Sequence, residues 1–426
     1  MKILFVSESD YFTSIFIEHA KYLPEAEIGF MGFYWSSGHS IRKEGFRYFH
    51  VPFHGKSIPP HRMPFLVEMV GKRHDSKEYS KTFRNALGCC RDIAQSTLDK
   101  FNPDLVVYGT IESAIAYSAY KASTMKGIPC IGLQTSFAKN RHINNHYGEH
   151  WIERIQEMKI PKSLQIAPES SIAKIEKYDY RRVNNNKAWP LQRIMRLSER
   201  LWRTLSGGIA FDTVQELSSL AWAKAFRRTW FPGVKRLDTL DDAGKRFILI
   251  AINQPCIENA FTIAELMEFA VKAIPKGYAI VLRPHPNEHP FPIPESMLSA
   301  LRKRNALVSQ SGSGPALSAL VSQCAALLTM NSAVGIEALM LGKPVFTAAP
   351  AIYARPGLAT PISKDDARAV HSFLESPVIK GPALSETARF RHWLTEEHMT
   401  SFTLQDGPEG HGLLHKIRAM ARETSH

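Results

Sequence analysis

Two series of short apolar runs, each of strand length and each followed by a stretch of helical composition, constrain this chain more than any other feature. The first opens at Lys2-Ile3-Leu4-Phe5-Val6, resumes at Asp104-Leu105-Val106-Val107-Tyr108, and returns at Gly127-Ile128-Pro129-Cys130-Ile131-Gly132-Leu133. Helix-like stretches over 77–100 and 112–125 separate these runs. The second series begins near Arg246, with strands expected over 247–252, 278–282, 325–329 and 344–346 and helices over 260–273, 294–303 and 332–341. Strands that alternate with helices pair in parallel, because a parallel neighbour is reached only through a long crossover. The expected class is therefore α/β, with two Rossmann-like domains facing across a cleft and ligand loops at the strand C-termini.

A chain of 426 residues, 44% hydrophobic and 22% charged, is too long for one average domain and too apolar to be disordered. The pattern divides it into an N-terminal Rossmann-like acceptor domain (1–177), a helical basic insertion (178–240), a C-terminal Rossmann-like donor domain (241–400) and a helical tail (401–426). The net charge is +13, and residues 178–236 of the insertion hold twelve Lys and Arg against four Asp and Glu, together with four of the seven tryptophans. Basic helices with tryptophan suit an anionic membrane surface. A helical insertion with a solvated basic face has the same composition. Nucleic acid explains the charge poorly, since no helix-turn-helix, RNP or zinc pattern is present. Five cysteines without a C-x-x-C spacing argue against a disulfide framework or a zinc ribbon. The apolar run at the N-terminus is too short for a signal peptide, and no membrane-spanning run follows. The expectation is a cytoplasmic protein, peripheral at the inner face of the cytoplasmic membrane.

The strongest local pattern is Leu328-Thr329-Met330-Asn331-Ser332-Ala333-Val334-Gly335-Ile336-Glu337-Ala338-Leu339, then Leu341-Gly342-Lys343-Pro344-Val345. An apolar strand enters small polar residues and then a helix. The free N–H groups of such a terminus suit phosphate, with Asn331, Ser332 and Ala333 around it and Glu337 as an acceptor for a ribose hydroxyl. A routine strand, an N-cap at or next to Asn331 and a buried helix with Gly342 as C-cap would read the same way. Arg283-Pro284-His285-Pro286 ends another strand of the same series. A histidine between two prolines has restricted backbone freedom, and there it can bond a phosphate or protonate one as it leaves.

RPHP, then NSAVGIEALMLGKPV, then Ala351-Ile352-Tyr353-Ala354-Arg355-Pro356-Gly357-Leu358 closely resemble, in that order, the C-terminal motifs of the capsule polysaccharide biosynthesis family, whose best-known members are β-Kdo transferases. The resemblance implies a two-Rossmann (GT-B type) glycosyltransferase of capsular or other surface polysaccharide. Its donor would be a nucleotide-activated sugar, CMP-Kdo or a related CMP-sugar acid, held mainly by the C-terminal domain. Its acceptor would be a glycan or glycolipid, and no cofactor beyond the donor substrate is implied. On the matching positions, His285 would contact the donor phosphate or cytidine, Ser332 the phosphate, and Glu337 the ribose or the helix packing. Asn253-Gln254 looks like the family's strand-Gln element, so Gln254 joins Arg283 among the donor residues. Lys343 and Arg355 are further cations close to these motifs.

In the N-terminal half the family carries an acidic, glycine-containing stretch after a strand, whereas this chain has Gly132-Leu133-Gln134-Thr135-Ser136-Phe137, without a carboxylate. Glu112, Glu149, Glu8 and Asp10 are the candidate bases. Glu112 is preferred, because GTIES opens a helix at a strand's carboxyl end, although a helix-terminal acid that only meets the dipole occupies the same place. No D-x-D pair follows a cleft strand, and Asp241-Asp242 reads as a linker turn, so a metal-independent reaction is expected. Transfer of a hexose or polyol phosphate, and a non-catalytic polysaccharide- or lipid-binding role in assembly, are the competing readings.

Overall fold

The computed structural model describes residues 1–7, 10–32, 35–51, 90–109, 111, 114–135, 141–145, 151–162, 164, 231–244, 246–253, 261–285, 293–310, 314–401 and 412–423. The tryptophan-bearing part of the basic insertion, 178–230, lies outside these residues. Two compact units emerge. Among the described residues, the first holds 1–151 and 394–423 and the second 152–164 and 231–393.

In the first unit the strands are β1 (Lys2–Ser7), β2 (Glu27–Gly32), β3 (Arg47–His50), β4 (Leu105–Tyr108), β5 (Cys130–Thr135), β6 (Arg141–Asn145) and, far along the chain, Met399–Ser401. They form one sheet in which that last strand lies beside β6, followed by β5, β4, β1, β2 and β3. Pairing is parallel from β3 to β5, while β6 runs antiparallel to both its neighbours. Ile3, Leu4, Phe5 and Val6 of β1 are wholly buried, as a central parallel strand covered on both faces requires. Helices α1 (Asp10–Ala20), α2 (Trp35–Lys43) and α3 (Ala114–Met125) follow β1, β2 and β4. Strands β2, β3 and β6 have no counterpart among the runs read from the sequence. β3 is four residues long and has no fully buried position, so its apolar pattern is weak.

The second unit contains α4 (Trp151–Glu157) from residue 152 onward, then β7 (Lys235–Arg236), β8 (Phe247–Ile252), α5 (Ile263–Ala273), β9 (Ala279–Pro284), α6 (Glu295–Lys303), β10 (Leu307–Val308), α7 (Leu317–Gln323), β11 (Ala326–Thr329), α8 (Val334–Met340), β12 (Val345–Thr347), β13 (Thr360–Pro361) and α9 (Ala367–Glu375). Every pairing is parallel, in the order β13, β12, β11, β8, β9, β10, β7. The chain winds outward from β8 through β9 to β10, then returns to β8's other edge as β11. The switch point therefore falls between β8 and β11. All six residues of β8, Phe-Ile-Leu-Ile-Ala-Ile, are buried. α5 starts at a capping box, in which the Thr262 side chain accepts from the Glu265 N–H at 3.1 Å and the Glu265 carboxylate accepts from the Thr262 N–H at 2.8 Å. Two doubly wound α/β units are thus present, as the alternation predicts.

The boundaries differ from those expected at 177 and 400. Residues 152–164 group with the second unit, since the Gln156 amide donates to the Ala351 and Ala354 carbonyls at 2.6 and 3.1 Å. From residue 394, inside helix α10 (Leu384–Glu397), the chain returns to the first unit. There β14 (Met399–Ser401) pairs with β6, and α11 (Gly412–Glu423) buries Leu413, Leu414 and Ile417 in the core that contains Phe5, Phe16 and Phe30. The expected tail is therefore part of that core. Among the described residues no helix is long and apolar enough to cross a membrane. Among the described thiols, Cys130 and Cys324 are pushed up to about 12 by burial and are poor nucleophiles.

α11 also produces a pH dependence. Burial pushes the Lys416 ammonium down to about 8. An unfolded lysine keeps its proton up to about pH 10.4, so between the two values the unfolded chain binds more protons and stability rises with pH. Below about pH 8 the desolvated charge opposes folding in full. Lys416→Met is expected to raise the melting temperature at neutral pH by a few degrees, with the gain shrinking as pH rises through about 8 and beyond. Thermal unfolding of both chains across that range checks this, and a gain independent of pH would show an ordinary lysine.

Candidate functional site

The ladder through β11, β8 and β9 decides which side chains meet at the carboxyl edge of the second sheet. Thr329 pairs with Ala251, and Ala251 with Arg283. Two residues further along each strand stand Asn331, Asn253 and His285, so these three continue one row across adjacent strands about 4.8 Å apart. The backbone bears this out, since the His285 N–H donates to the Ile252 carbonyl at 2.9 Å. Asn253 Nδ2 donates to Asn331 Oδ1 at 2.8 Å, bridging the switch point between β8 and β11. Asn253 Oδ1 is buried and has no hydrogen-bond partner among the described residues. A buried acceptor left open at a switch point suits a ligand N–H or hydroxyl.

The loop after β11 is held from behind. Ser332's carbonyl accepts from the Tyr353 hydroxyl at 2.6 Å and from the Gly335 N–H at 2.9 Å. Tyr353 is 1% exposed, and burial raises its pKa well above the ordinary phenol value, which keeps the hydroxyl a donor. Its ring lies so close to α8 that a Cβ at Gly335 would stand 2.4 Å from Cζ and Oη. The helix closes in a Schellman motif: the Lys343 N–H donates to the Ala338 carbonyl and the Gly342 N–H to that of Leu339, both at 2.9 Å, with Gly342 at φ +66°. Gly342 thus ends the helix as expected. The start differs, because α8 begins at Val334 with Ala333 as N-cap, and Asn331 spends its side chain on Asn253. Among the described residues Ser332 Oγ reaches only the Val334 N–H, at 3.5 Å.

Of the residues expected to bind a donor, the structure gathers His285, Asn331, Ser332 and Ala333 at this edge. His285 and Ala333 are exposed, and Asn331 and Ser332 are partly so. Glu337 lies half-exposed on α8, among buried neighbours on either side. Arg283 turns away toward β10, donating to Ser309 Oγ at 2.8 Å and to the Pro315 carbonyl at 3.4 Å, and burial lowers its pKa below the usual guanidinium value. Arg355 is likewise engaged. Its guanidinium donates to the Ile155 carbonyl at 3.4 Å and to that of Met158, and stands 5.3 Å from the Trp393 ring centroid. Gln254, Glu112, Glu8 and Glu149 lie outside the described residues, and Asp10 opens α1.

Asn253 as the bridge and Tyr353 as the rear support are the site features that sequence reasoning did not assign. Both stood inside motifs already singled out, but neither role shows in residue type. Gly335→Ala is expected to cost about 1–3 kcal/mol, because the added methyl must displace a fully buried ring. Tyr353→Phe, which removes only the bond to Ser332, is expected to cost about 1 kcal/mol. Urea denaturation checks both, and a neutral Gly335→Ala would contradict the packing described.

Residues 250–377 match the family model described as capsule polysaccharide biosynthesis protein. No curated protein matches at the sequence level. Among solved structures, the chain is similar to the β-Kdo 2,7 transferase KpsC of Thermosulfurimonas dismutans, with 13% identity, a TM-score of 0.40 and coverage of 99% of this chain and 100% of that one. It is similar also to the calicheamicin glycosyltransferase CalG4 (12% identity, 99% and 98% covered, TM-score 0.37) and to the Neisseria meningitidis UDP-GlcNAc 2-epimerase bound to UDP-GlcNAc (11%, 99% and 100%, 0.33). Likeness at this level does not extend to activity. The matched segment runs from within β8 through β9, β11 and α8 into the region after α9, and so contains the Asn253, His285 and Asn331 row. Over residues 250–377, then, the chain is similar to the capsule polysaccharide biosynthesis family.

Proposed function

We propose that the protein is a glycosyltransferase that moves a sugar from a nucleotide-activated donor to a surface glycan or glycolipid, with a CMP-linked sugar acid of the Kdo type as donor. The observation that carries this reading is the Asn253–Asn331 bridge beside His285 at the switch point, inside the segment that matches the family model. A nucleotide offers hydroxyls to the open Asn253 Oδ1 and an anion to the turn at Ser332 and Ala333. His285 stands on the next strand, where it can bond the departing phosphate. In the transfer, the acceptor oxygen forms a bond to the anomeric carbon, the bond from that carbon to the phosphate oxygen breaks, and CMP departs with the electron pair. The acceptor proton passes to a carboxylate, for which Glu112 is our candidate.

A monophosphate leaving group asks for one anion site, so the proposed reaction uses no metal; charge on the leaving oxygen is met by N–H groups and the imidazole. Work at an anionic membrane face, through the basic insertion, belongs to the same proposal. Titration calorimetry with CMP, CDP and UDP tests the donor. We expect CMP to bind, and Asn331→Ala and His285→Ala each to weaken it about tenfold, the loss of one charge-assisted or buried hydrogen bond. Glu112→Ala should keep CMP affinity and abolish transfer. Binding of UDP in preference to CMP would sink the CMP assignment, and indifference to all three nucleotides would sink the transferase reading.

A further inference from the structure

The opposite edge of the second sheet holds a group of cations that the proposed transfer does not use. A cavity of about 460 Å³ opens there, lined among others by Arg246, Lys276, Gly277, Arg304 and Asn305, with no acidic residue in its wall. The three cations come from separate segments: Arg246 directly precedes β8, Lys276 lies in the turn before β9, and Arg304 follows α6. The Ala279 N–H donates to the Arg246 carbonyl at 3.1 Å, which fixes the first two segments side by side. Neighbouring cations have found carboxylates, as Lys272 has Glu268 at 2.7 Å and Arg236 has Asp238 at 3.7 Å. Among the described residues Arg246, Lys276 and Arg304 have none.

Like charges gathered on one cavity repel, and a bound anion relieves that repulsion. Arg304 is also held in place. Its Nη2 donates to the Ile274 and Pro275 carbonyls at 2.7 and 3.1 Å, while Nε is buried without a partner among the described residues. A guanidinium oriented in this way, beside two freely reaching cations, suits the several oxygens of a phosphate group. The volume falls in the range of small-ligand sites. β8 is six residues long, so this cavity and the Asn253 row stand at the two ends of a strand of roughly 20 Å.

We propose that this amino-edge cavity is a second binding site, for a phosphate or diphosphate group, separate from the site at the carboxyl edge. The group can come from a soluble phosphate ester or from a lipid headgroup, and the chemistry of recognition is the same. The inference stands on the cavity alone and does not need the transferase reading.

The test uses the full chain. Inorganic pyrophosphate is titrated calorimetrically at low ionic strength, where surface electrostatics are least screened. We expect binding that Arg246→Gln/Lys276→Gln weakens by at least about tenfold. Among the described residues those two exposed side chains make no polar bond, so the double variant should fold normally and keep the wild-type response to CMP. Asn331→Ala should do the reverse, keeping pyrophosphate affinity. Arg304→Lys, which retains charge but loses the fork, should weaken pyrophosphate with melting temperature as the folding control. In a second arm, the protein is floated with phosphatidylglycerol vesicles. Release by saturating pyrophosphate assigns the site to headgroups as well, and retention assigns it to soluble phosphates. Absence of pyrophosphate binding to the wild type, or equal affinity in the double variant, overturns the proposal, whatever CMP does.

Discussion

Everything at the carboxyl edge of the second sheet depends on β8 being paired on both edges. A strand buried on both faces has no water for its N–H and C=O groups, so each must be satisfied by a neighbour. β9 and β11 supply those partners and are thereby locked to β8 in one register. Sliding either strand by one residue would turn its buried set toward the wrong face. That constraint, more than any local preference of the loops, brings Asn331, Asn253 and His285 into a row. The Asn253–Asn331 hydrogen bond then spans the point where the sheet's winding reverses, the place where open α/β sheets bind their ligands.

The family motifs acquire a physical meaning from this frame. Gly335 stands where any side chain would collide with Tyr353, and Tyr353 in turn holds the Ser332 carbonyl. Gly342 takes the left-handed conformation that ends α8 and directs the chain into β12. Ser332 and Ala333 are therefore positioned by residues behind them, with the Ser332 carbonyl turned back to the Tyr353 hydroxyl. Arg355 belongs to the same supporting layer. Its guanidinium joins the Ala351–Leu358 segment to the carbonyls at the end of α4, over Trp393.

The positive charge of the chain is spread over distinct places. Arg283 and Arg355 sit close to the motifs, but carbonyls, a hydroxyl and rings engage them, so they stabilise the frame of the site more than they face its opening. Arg246, Lys276 and Arg304 gather at the far end of the same strands, without carboxylate partners among the described residues. The net charge read from the sequence is thus a sum over groups with different employment, and it gives little direct information about any one ligand.

Alternating runs of strand and helix length, the glycine that ends α8, and the stretch that carries the family's motifs were all legible in the sequence. Each rests on short-range physics: apolar periodicity, capping and the conformational freedom of glycine act within a few residues. Strand order, register and the return of residues 394–423 to the first unit were not legible. Short, half-exposed strands such as β3 carry almost no local pattern, and β14 is defined only by its distant partner β6. The N-cap expected near Asn331 failed for the same reason, since an asparagine can satisfy its amide locally or across a sheet. Here the hydrogen bond to Asn253, 78 positions away in sequence, outcompetes the cap. The sequence by itself determined the class of fold and the loops that could bind. Only the tertiary structure decided which side chains meet there, because pairing between distant strands selects one register among many that the local pattern allows.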